Sequence, residues 1–164
     1  MNRIPVKITA DIDLTLSPGG QNVLIKKIWD EFCSRFTPGG KLIYLGDTAD
    51  KWAYFDEATF KQLGMVTPDE HGKIPDMVVY FTEKNWLVLI EAVTSHGPIN
   101  PKRKIELEAL FKDSKAGLVF VTAFLTRKDM LRYLAEIAWE TEVWVAESPD
   151  HMIHFNGKRF LGPY

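Results

Sequence analysis

PDMVVYFTEKNWLVLIEAV, residues 75–93, is the most informative segment of the chain. It holds two apolar runs, residues 75–81 and 86–93, which are separated by the polar residues TEKN. Both runs are rich in the β-branched and aromatic side chains that favour strands. A connection this short demands antiparallel strands, because parallel neighbours need a crossover of a dozen or more residues. The segment therefore predicts a β-hairpin.

Two acidic residues lie at the open end of this predicted hairpin. If the TEKN turn is symmetric about Glu83 and Lys84, Asp76 faces Glu91 and both side chains share one face. Directly opposed residues have Cβ atoms roughly 4.5 to 5.5 Å apart, where two carboxylates repel each other. A divalent cation offsets that repulsion, and Mg²⁺ commonly takes one or two carboxylates together with waters and phosphate oxygens. The pair is therefore a candidate metal site.

The strand that precedes the hairpin brings a third acid to the same rim. Residues 41–47 are expected to pair antiparallel with residues 75–81, and this pairing carries Asp47 towards Asp76. The alternative is that Asp76 and Glu91 are ordinary strand-end carboxylates in solvent, since a turn of odd length would send them to opposite faces. The residues alone leave both interpretations open.

The other predicted elements surround the hairpin with helices and further strands. Apolar residues at helical spacing predict helices, and short apolar runs bounded by Gly and Pro predict strands. In chain order we predict a strand (6–16), a helix (23–36), a strand (41–47), a helical turn (56–63), the hairpin, a helix (102–112), a strand (117–124), a helix (128–139) and two strands (142–147 and 152–157). This order predicts a mixed α/β fold, in which a central sheet is flanked by helices and the core elements run α-β-β-β-α-β.

The composition suits one globular domain without disulfides or membrane spans. We expect the 164 residues to form a single domain, residues 1–164, with one substantial core. Cys33 is the single cysteine of the sequence and cannot form an internal disulfide. No apolar run is long enough to span a bilayer and no signal peptide is visible, so we expect a cytoplasmic protein. The net charge of −2 gives no overall attraction for DNA, so phosphate contacts would need local basic patches such as residues 102–104.

Two levels of resemblance connect the chain to nucleases. Pro75-Asp76, a spacer of fourteen residues and Glu91-Ala92-Val93 resemble the PD-(D/E)xK signature, with Val93 where that signature has lysine. Longer segments, in order along the chain, are similar to the catalytic C-terminal region of the BsuBI/PstI type II restriction endonuclease family. These are LSPGGQNVLIKKI, FTPGGK, GDT, HGKIPD, EKNWL, VTSHGPI, VTAF, IAWETEVWVAE and HMIHFNGKRFLGPY.

The resemblance implies an activity, a cofactor and partners. It implies a Mg²⁺-dependent endonuclease that hydrolyses phosphodiester bonds in palindromic duplex DNA, with CTGCAG as the family's target. Its partners would be double-stranded DNA, a second copy of the chain in a homodimer, and a cognate DNA methyltransferase as the genetic partner. Enzymes of this family are about twice as long, and their N-terminal recognition region is expected to be absent from this nuclease domain.

The expected site residues combine the hairpin acids with nearby cations. Asp76, Glu91 and Asp47 are the expected metal ligands, and Asp76 and Glu91 are also expected to be catalytic. Lys51, four residues after Asp47, is the candidate that replaces the missing lysine of the signature, with Lys102, Arg103 and Lys73 as alternatives. The residues expected to contact DNA are Lys102, Arg103, Ser95, His96 and Gln21.

Two other functions compete with the nuclease. ADIDLTL, residues 10–16, resembles the Asp-x-Asp-x-Thr motif of haloacid-dehalogenase-type phosphatases, with Asp11 as nucleophile and Thr122 and Lys128 as further motif residues. That nucleophile ends a buried parallel strand, which should be almost continuously apolar, whereas residues 6–9 alternate apolar and polar. The other competitor is an inactive nuclease-like domain that only binds DNA.

Overall fold

Helices and strands alternate along the chain much as the apolar spacing predicts. The structure, a computed structural model, describes residues 2–48, 53–68 and 73–157. The strands within these ranges are β1 (Ile4–Lys7), β2 (Asp13–Leu16), β3 (Lys41–Leu45), β4 (Tyr54–Phe55), β5 (Met77–Phe81), β6 (Trp86–Val93), β7 (Gly117–Phe124), β8 (Glu142–Val145) and β9 (Met152–His154). The helices are α1 (Gly20–Lys27), α2 (Ser34–Phe36), α3 (Glu57–Gln62), α4 (Pro101–Leu110) and α5 (Arg127–Leu131), with a π-helix (Ile28–Cys33) between α1 and α2 and a 3-10 helix (Leu134–Glu136) after α5.

A seven-stranded mixed sheet forms the centre of the fold. Its strand order is β4-β3-β5-β6-β7-β8-β9. The pairs β3/β5, β5/β6 and β8/β9 are antiparallel, whereas β6/β7 and β7/β8 are parallel. Helix α4 lies in the connection between β6 and β7, where a parallel pair needs a crossover. The predicted mixed α/β fold, with a central sheet flanked by helices, is confirmed.

The central hairpin has the register that the symmetric TEKN turn predicts. Met77 pairs with Ile90, and the pairing continues to Phe81 and Trp86 beside the turn. Asn85 closes the turn with a φ of 55°. Asn tolerates this left-handed conformation better than most residues, and its backbone N–H donates to the Thr82 carbonyl at 3.2 Å.

Alternation along β5 and β6 builds two cores, one on each face of the sheet. On one face Met77 and Ile90 pack with side chains of α1 and the π-helix, including Ile25 and Phe32. On the other face Val78, Leu87 and Leu89 pack with α3 and α4 through the side chains Phe60, Leu107 and Phe111. Successive residues of a strand point to opposite faces, so Glu91 belongs to the α4 face, two positions beyond Leu89.

The structure differs from the prediction at three elements. Residues 6–16 are not one strand: β1 and β2 form a separate two-stranded antiparallel sheet. The turn falls at residues 8–12, where Thr9 Oγ1 accepts the backbone N–H of Asp11 at 3.2 Å. Polar turn residues continue the alternating pattern, so the pattern concealed the reversal. The short strand β4 was not predicted, because two residues carry no periodicity.

The helix predicted at residues 128–139 is the third difference. Helix α5 ends at Leu131, and only the 3-10 helix follows. Ile137 has an extended backbone, with φ −68° and ψ 127°, and the Ala138 N–H donates to the Ile99 carbonyl at 3.0 Å. A tertiary hydrogen bond therefore replaces the helical one at this point.

None of the helices in the described ranges is long and apolar enough to cross a membrane.

Candidate active site

The hairpin register brings the two predicted carboxylates to one end of the central strands. Asp76 directly precedes β5, and Glu91 is the sixth residue of β6. The backbone N–H of Ala92, the neighbour of Glu91, donates to Asp76 Oδ2 at 2.8 Å. On the other side, the Gly46 N–H donates to the Asp76 carbonyl at 2.8 Å. Asp76 is therefore held between β3 and β6, beside Glu91.

Helix α4 places a cation directly on this pair. The guanidinium of Arg103 donates to Glu91 Oε1 from Nη2 at 2.7 Å and from Nε at 3.1 Å. Arg103 lies in the first turn of α4, where its own backbone N–H donates to the side chain of the N-cap residue Asn100 at 2.7 Å. Pro101 at the first helical position supports the same helix start. The cap thus sets the direction from which Arg103 reaches Glu91.

The start of α1 supplies a second polar contact. Gln21 Nε2 donates to Asp76 Oδ2 at 3.3 Å and to the Ala92 carbonyl at 3.0 Å. Gln21 Oε1 accepts from the Thr94 hydroxyl at 2.7 Å. Both ends of this amide are used within the protein, so Gln21 joins α1, β6 and the loop after β6 at the carboxylate pair. Its predicted contact with DNA stays a prediction.

Burial raises the pKa of both carboxyl groups. Desolvation raises the pKa of Asp76 to about 6, against the opposing effects of the Ala92 N–H, Arg103 and Gln21. Desolvation also raises the pKa of Glu91 to about 7, and repulsion by Asp76 adds to this rise while Arg103 opposes it. Each ionised carboxylate therefore destabilises the other, and a divalent cation or a proton relieves that repulsion.

The donor set fits a divalent cation that is held by two carboxylates. Within the described part of the chain, neither Asp76 Oδ1 nor Glu91 Oε2 has a hydrogen-bond partner, since the contacts reach only Asp76 Oδ2 and Glu91 Oε1. One or two carboxylates with waters and substrate oxygens are the ligands that Mg²⁺ ordinarily takes in such sites. The described ranges contain no group of three or more His, Cys, Asp or Glu side chains that could hold a metal ion.

Asp47, the predicted third ligand, has a different set of contacts. Its Oδ2 accepts the backbone N–H of Ser17 at 2.9 Å, and its Oδ1 accepts from Asn22 Nδ2 at 3.2 Å. Asp47 and Asn22 are both buried. These bonds tie the end of β3 to the beginning of α1, which carries Gln21. A metal-binding role for Asp47 stays a prediction.

The other predicted site residues lie around the carboxylate pair or outside the described ranges. Lys51 lies outside them. Ser95 and His96 are exposed in the loop between β6 and α4, and His96 contributes to lowering the pKa of Glu91. Lys102 is exposed on the first turn of α4. An open cleft of about 520 Å³ is lined by Lys73, Arg103, Glu106, Ala109 and Leu110.

Two side chains that the sequence did not connect with the site position it. Thr94 bonds to Gln21, as above. Thr122 lies opposite Glu91 in the parallel β6/β7 register, is fully buried, and accepts the Ile99 N–H at 3.1 Å. This bond anchors the loop that leads to Arg103. No local pattern signals either role, because both depend on contacts between distant segments.

The phosphatase interpretation does not match the geometry. Asp11 and Asp13 are exposed in or beside the small β1/β2 sheet, which is separate from the seven-stranded sheet. That motif needs its nucleophile at the end of a buried parallel strand. Thr122 instead serves as a backbone anchor.

Comparisons with known proteins show the family of the chain. The family model of the BsuBI/PstI restriction endonuclease domain matches residues 4–158. The type II restriction enzyme BsuBI of Bacillus subtilis is 58% identical over 163 residues, which are 99% of this chain and 51% of that protein. The type II restriction enzyme AplI of Arthrospira platensis is 38% identical over 166 residues, with 97% of this chain and 51% of that protein covered.

A solved structure shows the same fold. The SdaI restriction endonuclease superposes with a TM-score of 0.92 at 48% identity, covering 99% of this chain and 51% of that one. The chain thus spans about half the length of the relatives it matches. The match of both sequence and fold, over nearly all of the chain, places it in the BsuBI/PstI restriction endonuclease family.

Proposed function

We propose that this chain is a Mg²⁺-dependent nuclease domain that hydrolyses phosphodiester bonds in palindromic duplex DNA. The observation that carries the proposal is the partly buried pair of Asp76 and Glu91, each with one carboxylate oxygen that has no hydrogen-bond partner among the described residues. BsuBI, AplI and SdaI are named as restriction enzymes, which supports DNA as the substrate. CTGCAG is the proposed recognition sequence, as the family resemblance implies.

In the proposed reaction the chain positions one phosphodiester at the carboxylate pair. Asp76 Oδ1 and Glu91 Oε2 would hold Mg²⁺, which when bound supplies a Lewis acid for a phosphoryl oxygen and for the attacking water. Gln21 and the Ala92 N–H keep the Asp76 carboxylate fixed through its other oxygen. The oxygen of water bonds to phosphorus and the bond to O3′ breaks. One proton of that water passes to solvent and O3′ takes one from solvent, leaving a 5′-phosphate and a 3′-hydroxyl.

The partners follow from the symmetry of the proposed target. A palindrome has two-fold symmetry, so a homodimer with one active site for each strand is the simplest arrangement that cuts both strands. Ser95, His96 and Lys102, exposed near the pair, are the proposed DNA contacts, with Arg103 reaching the phosphate from the same helix start. A cognate DNA methyltransferase is the proposed genetic partner. Residues 1–164 are proposed to form a single nuclease domain.

Cleavage assays on matched carboxylate-to-amide variants test the proposal. Asp76→Asn and Glu91→Gln should each reduce Mg²⁺-dependent cutting of plasmid DNA at least a hundredfold while far-UV circular dichroism stays unchanged. Asp11→Asn and Asp13→Asn are the controls, because both residues are exposed in or beside the small sheet, and these variants should cut like the unmodified chain.

Three results would contradict the proposal. Cleavage that survives either hairpin substitution would remove the carboxylate pair from the mechanism. Loss of activity in the two control variants would bring back the phosphatase interpretation. Salt-sensitive DNA binding without any cutting would favour the inactive, DNA-binding alternative.

A further inference from the structure

The chain lacks the lysine of the nuclease signature, so another basic side chain must take its place beside the carboxylate pair. Val93 stands at that position, and its side chain is 2% exposed. It packs with Phe124, Met130 and other apolar residues in a third core cluster. No charged side chain could replace Val93 there without burying an unpaired charge in an apolar environment. The cation must therefore reach the carboxylate pair from another element.

We propose that Arg103 is this cation, and that it exchanges Glu91 for the scissile phosphate when a divalent cation binds. The inference rests on the proposed function. Among the described residues, Arg103 is the basic side chain that contacts either carboxylate of the pair, at 2.7 Å from Glu91. Its guanidinium places a positive charge directly beside Glu91 Oε1.

The contact of Arg103 with Glu91 leaves some N–H donors of the guanidinium available to bind a phosphate. Nε and Nη2 both donate to the same oxygen, Oε1. Nη1 lies 3.6 Å from the carboxylate of Glu106, which is half exposed. A guanidinium has five N–H donors in a planar fork that matches phosphate oxygens, so several donors remain for a second acceptor. The Arg103 side chain also lines the open cleft shared with Lys73, so it can be reached from solvent.

The backbone around Arg103 is fixed by hydrogen bonds, whereas its long side chain has several rotatable bonds. The helix start is fixed by the Asn100 cap at 2.7 Å, and the residue before that cap is tied to buried Thr122 at 3.1 Å. Rotation of the long side chain is therefore the simplest way to transfer the guanidinium from Glu91 to a phosphate in the cleft. The distance to be covered is short, since that phosphate would share the cation that Glu91 binds.

Exchange makes opposite predictions for metal binding and for cleavage. The positive charge of Arg103, beside Glu91 Oε1, repels a divalent cation that would be held by Glu91 Oε2, so loss of that charge should strengthen cation binding. The same charge would stabilise the negative charge that develops on the phosphate, and loss of one such donor commonly lowers a rate by roughly 10²–10³-fold. A purely structural role for Arg103 predicts weaker metal binding, because Glu91 would lose its orientation.

Calorimetry and single-turnover kinetics on the same variants separate these roles. Ca²⁺ binding is measured at pH 8.5 without DNA, and cleavage of a CTGCAG duplex is measured with saturating Mg²⁺. Arg103→Met should bind Ca²⁺ three- to tenfold more tightly and cut at least a hundredfold more slowly, with Arg103→Lys between it and the unmodified chain. Lys104→Met is the matched control, because the neighbouring Lys104 pairs with Glu108 at 3.2 Å and should leave both values unchanged.

The remaining outcomes overturn the inference in distinguishable ways. If Arg103→Met cuts at the unmodified rate while Lys51→Ala is inactive, Lys51 supplies the cation. If Arg103→Met loses cleavage but binds Ca²⁺ no more tightly, Arg103 only positions Glu91. An unmodified chain that binds no Ca²⁺, or binds it and cuts no DNA, overturns the proposed function and this inference together.

Discussion

Replacing Asp76 by asparagine should make the metal-free protein more stable at pH 8. Burial raises the pKa of Asp76 from its ordinary 3.8 to about 6, a change of about two units. Each unit corresponds to about 1.36 kcal/mol, so the ionised carboxylate lowers the free energy of unfolding by about 3 kcal/mol at pH 8. Asparagine has no such charge. It can still accept the Ala92 N–H, but it disturbs the contact with Gln21, which subtracts about 1 kcal/mol.

The sign of this effect depends on pH. An aspartate with a raised folded-state pKa destabilises the fold above that pKa, and the destabilisation disappears as the pH falls through about 6 towards 3.8. The free energy of unfolding of Asp76→Asn should therefore be about 1–3 kcal/mol higher than that of the unmodified chain at pH 8. The difference should become smaller near pH 4. Mg²⁺ should narrow the difference at pH 8, because a cation that binds only the folded unmodified chain stabilises it.

Urea unfolding followed by circular dichroism at pH 8 and pH 4.5 measures both quantities. Asp13→Asn, an exposed aspartate on β2, is the control and should shift the free energy of unfolding by less than about 0.5 kcal/mol. An Asp76→Asn variant that is less stable at pH 8, or a difference that does not shrink towards acid pH, would refute the account of Asp76 as a strained, desolvated carboxylate.

Three further predictions follow from the same contacts. Cleavage at subsaturating Mg²⁺ should rise with pH through about 6 to 7, where Asp76 and Glu91 ionise, and a flat rate between pH 5.5 and 8 would contradict this. Gln21→Ala should slow single-turnover cleavage about tenfold and weaken Ca²⁺ binding, because Asp76 loses a hydrogen-bond donor that fixes its carboxylate. An unchanged Ca²⁺ affinity in calorimetry would show that this contact is dispensable. Thr122→Val should lower the free energy of urea unfolding by about 1–3 kcal/mol, since the Ile99 N–H loses its buried acceptor, and a shift below about 0.5 kcal/mol would count against the anchor.

The central hairpin and its carboxylate pair were predictable from the sequence. Two long apolar runs and a four-residue connection determine the pairing, because a shift of one residue would turn every side chain of β6 to the wrong face. The pairing of Met77 with Ile90 follows, and with it the proximity of Asp76 and Glu91. These contacts are local enough in the chain for periodicity and turn length to specify them.

The tertiary structure alone decided which polar side chains complete the site. Gln21 lies 55 residues from Asp76 and 73 from Thr94 in the sequence, yet contacts both. Arg103 reaches Glu91 only because the crossover from β6 to β7 returns α4 over that face of the sheet. Residue types and spacing do not encode such packing, so the sequence predicted Gln21 only as a DNA contact, and Arg103 as a DNA contact and as one of three alternatives to Lys51.

Contacts between distant segments also explain why the sequence did not predict the hydrogen bonds of Asp47 or the turn between the two N-terminal strands. The end of β3 does lie beside Asp76, as antiparallel pairing predicts, but the Asp47 carboxylate accepts bonds from Ser17 and Asn22 at the start of α1. Residues 8–12 reverse direction although their alternation continues the strand pattern. Apolar periodicity determined which segments pair and which faces are buried, because burial of apolar area dominates the folding energy. The partners of individual polar groups, such as those of Asp47 and Gln21, depend on which distant segments pack together, and only the folded chain defines that.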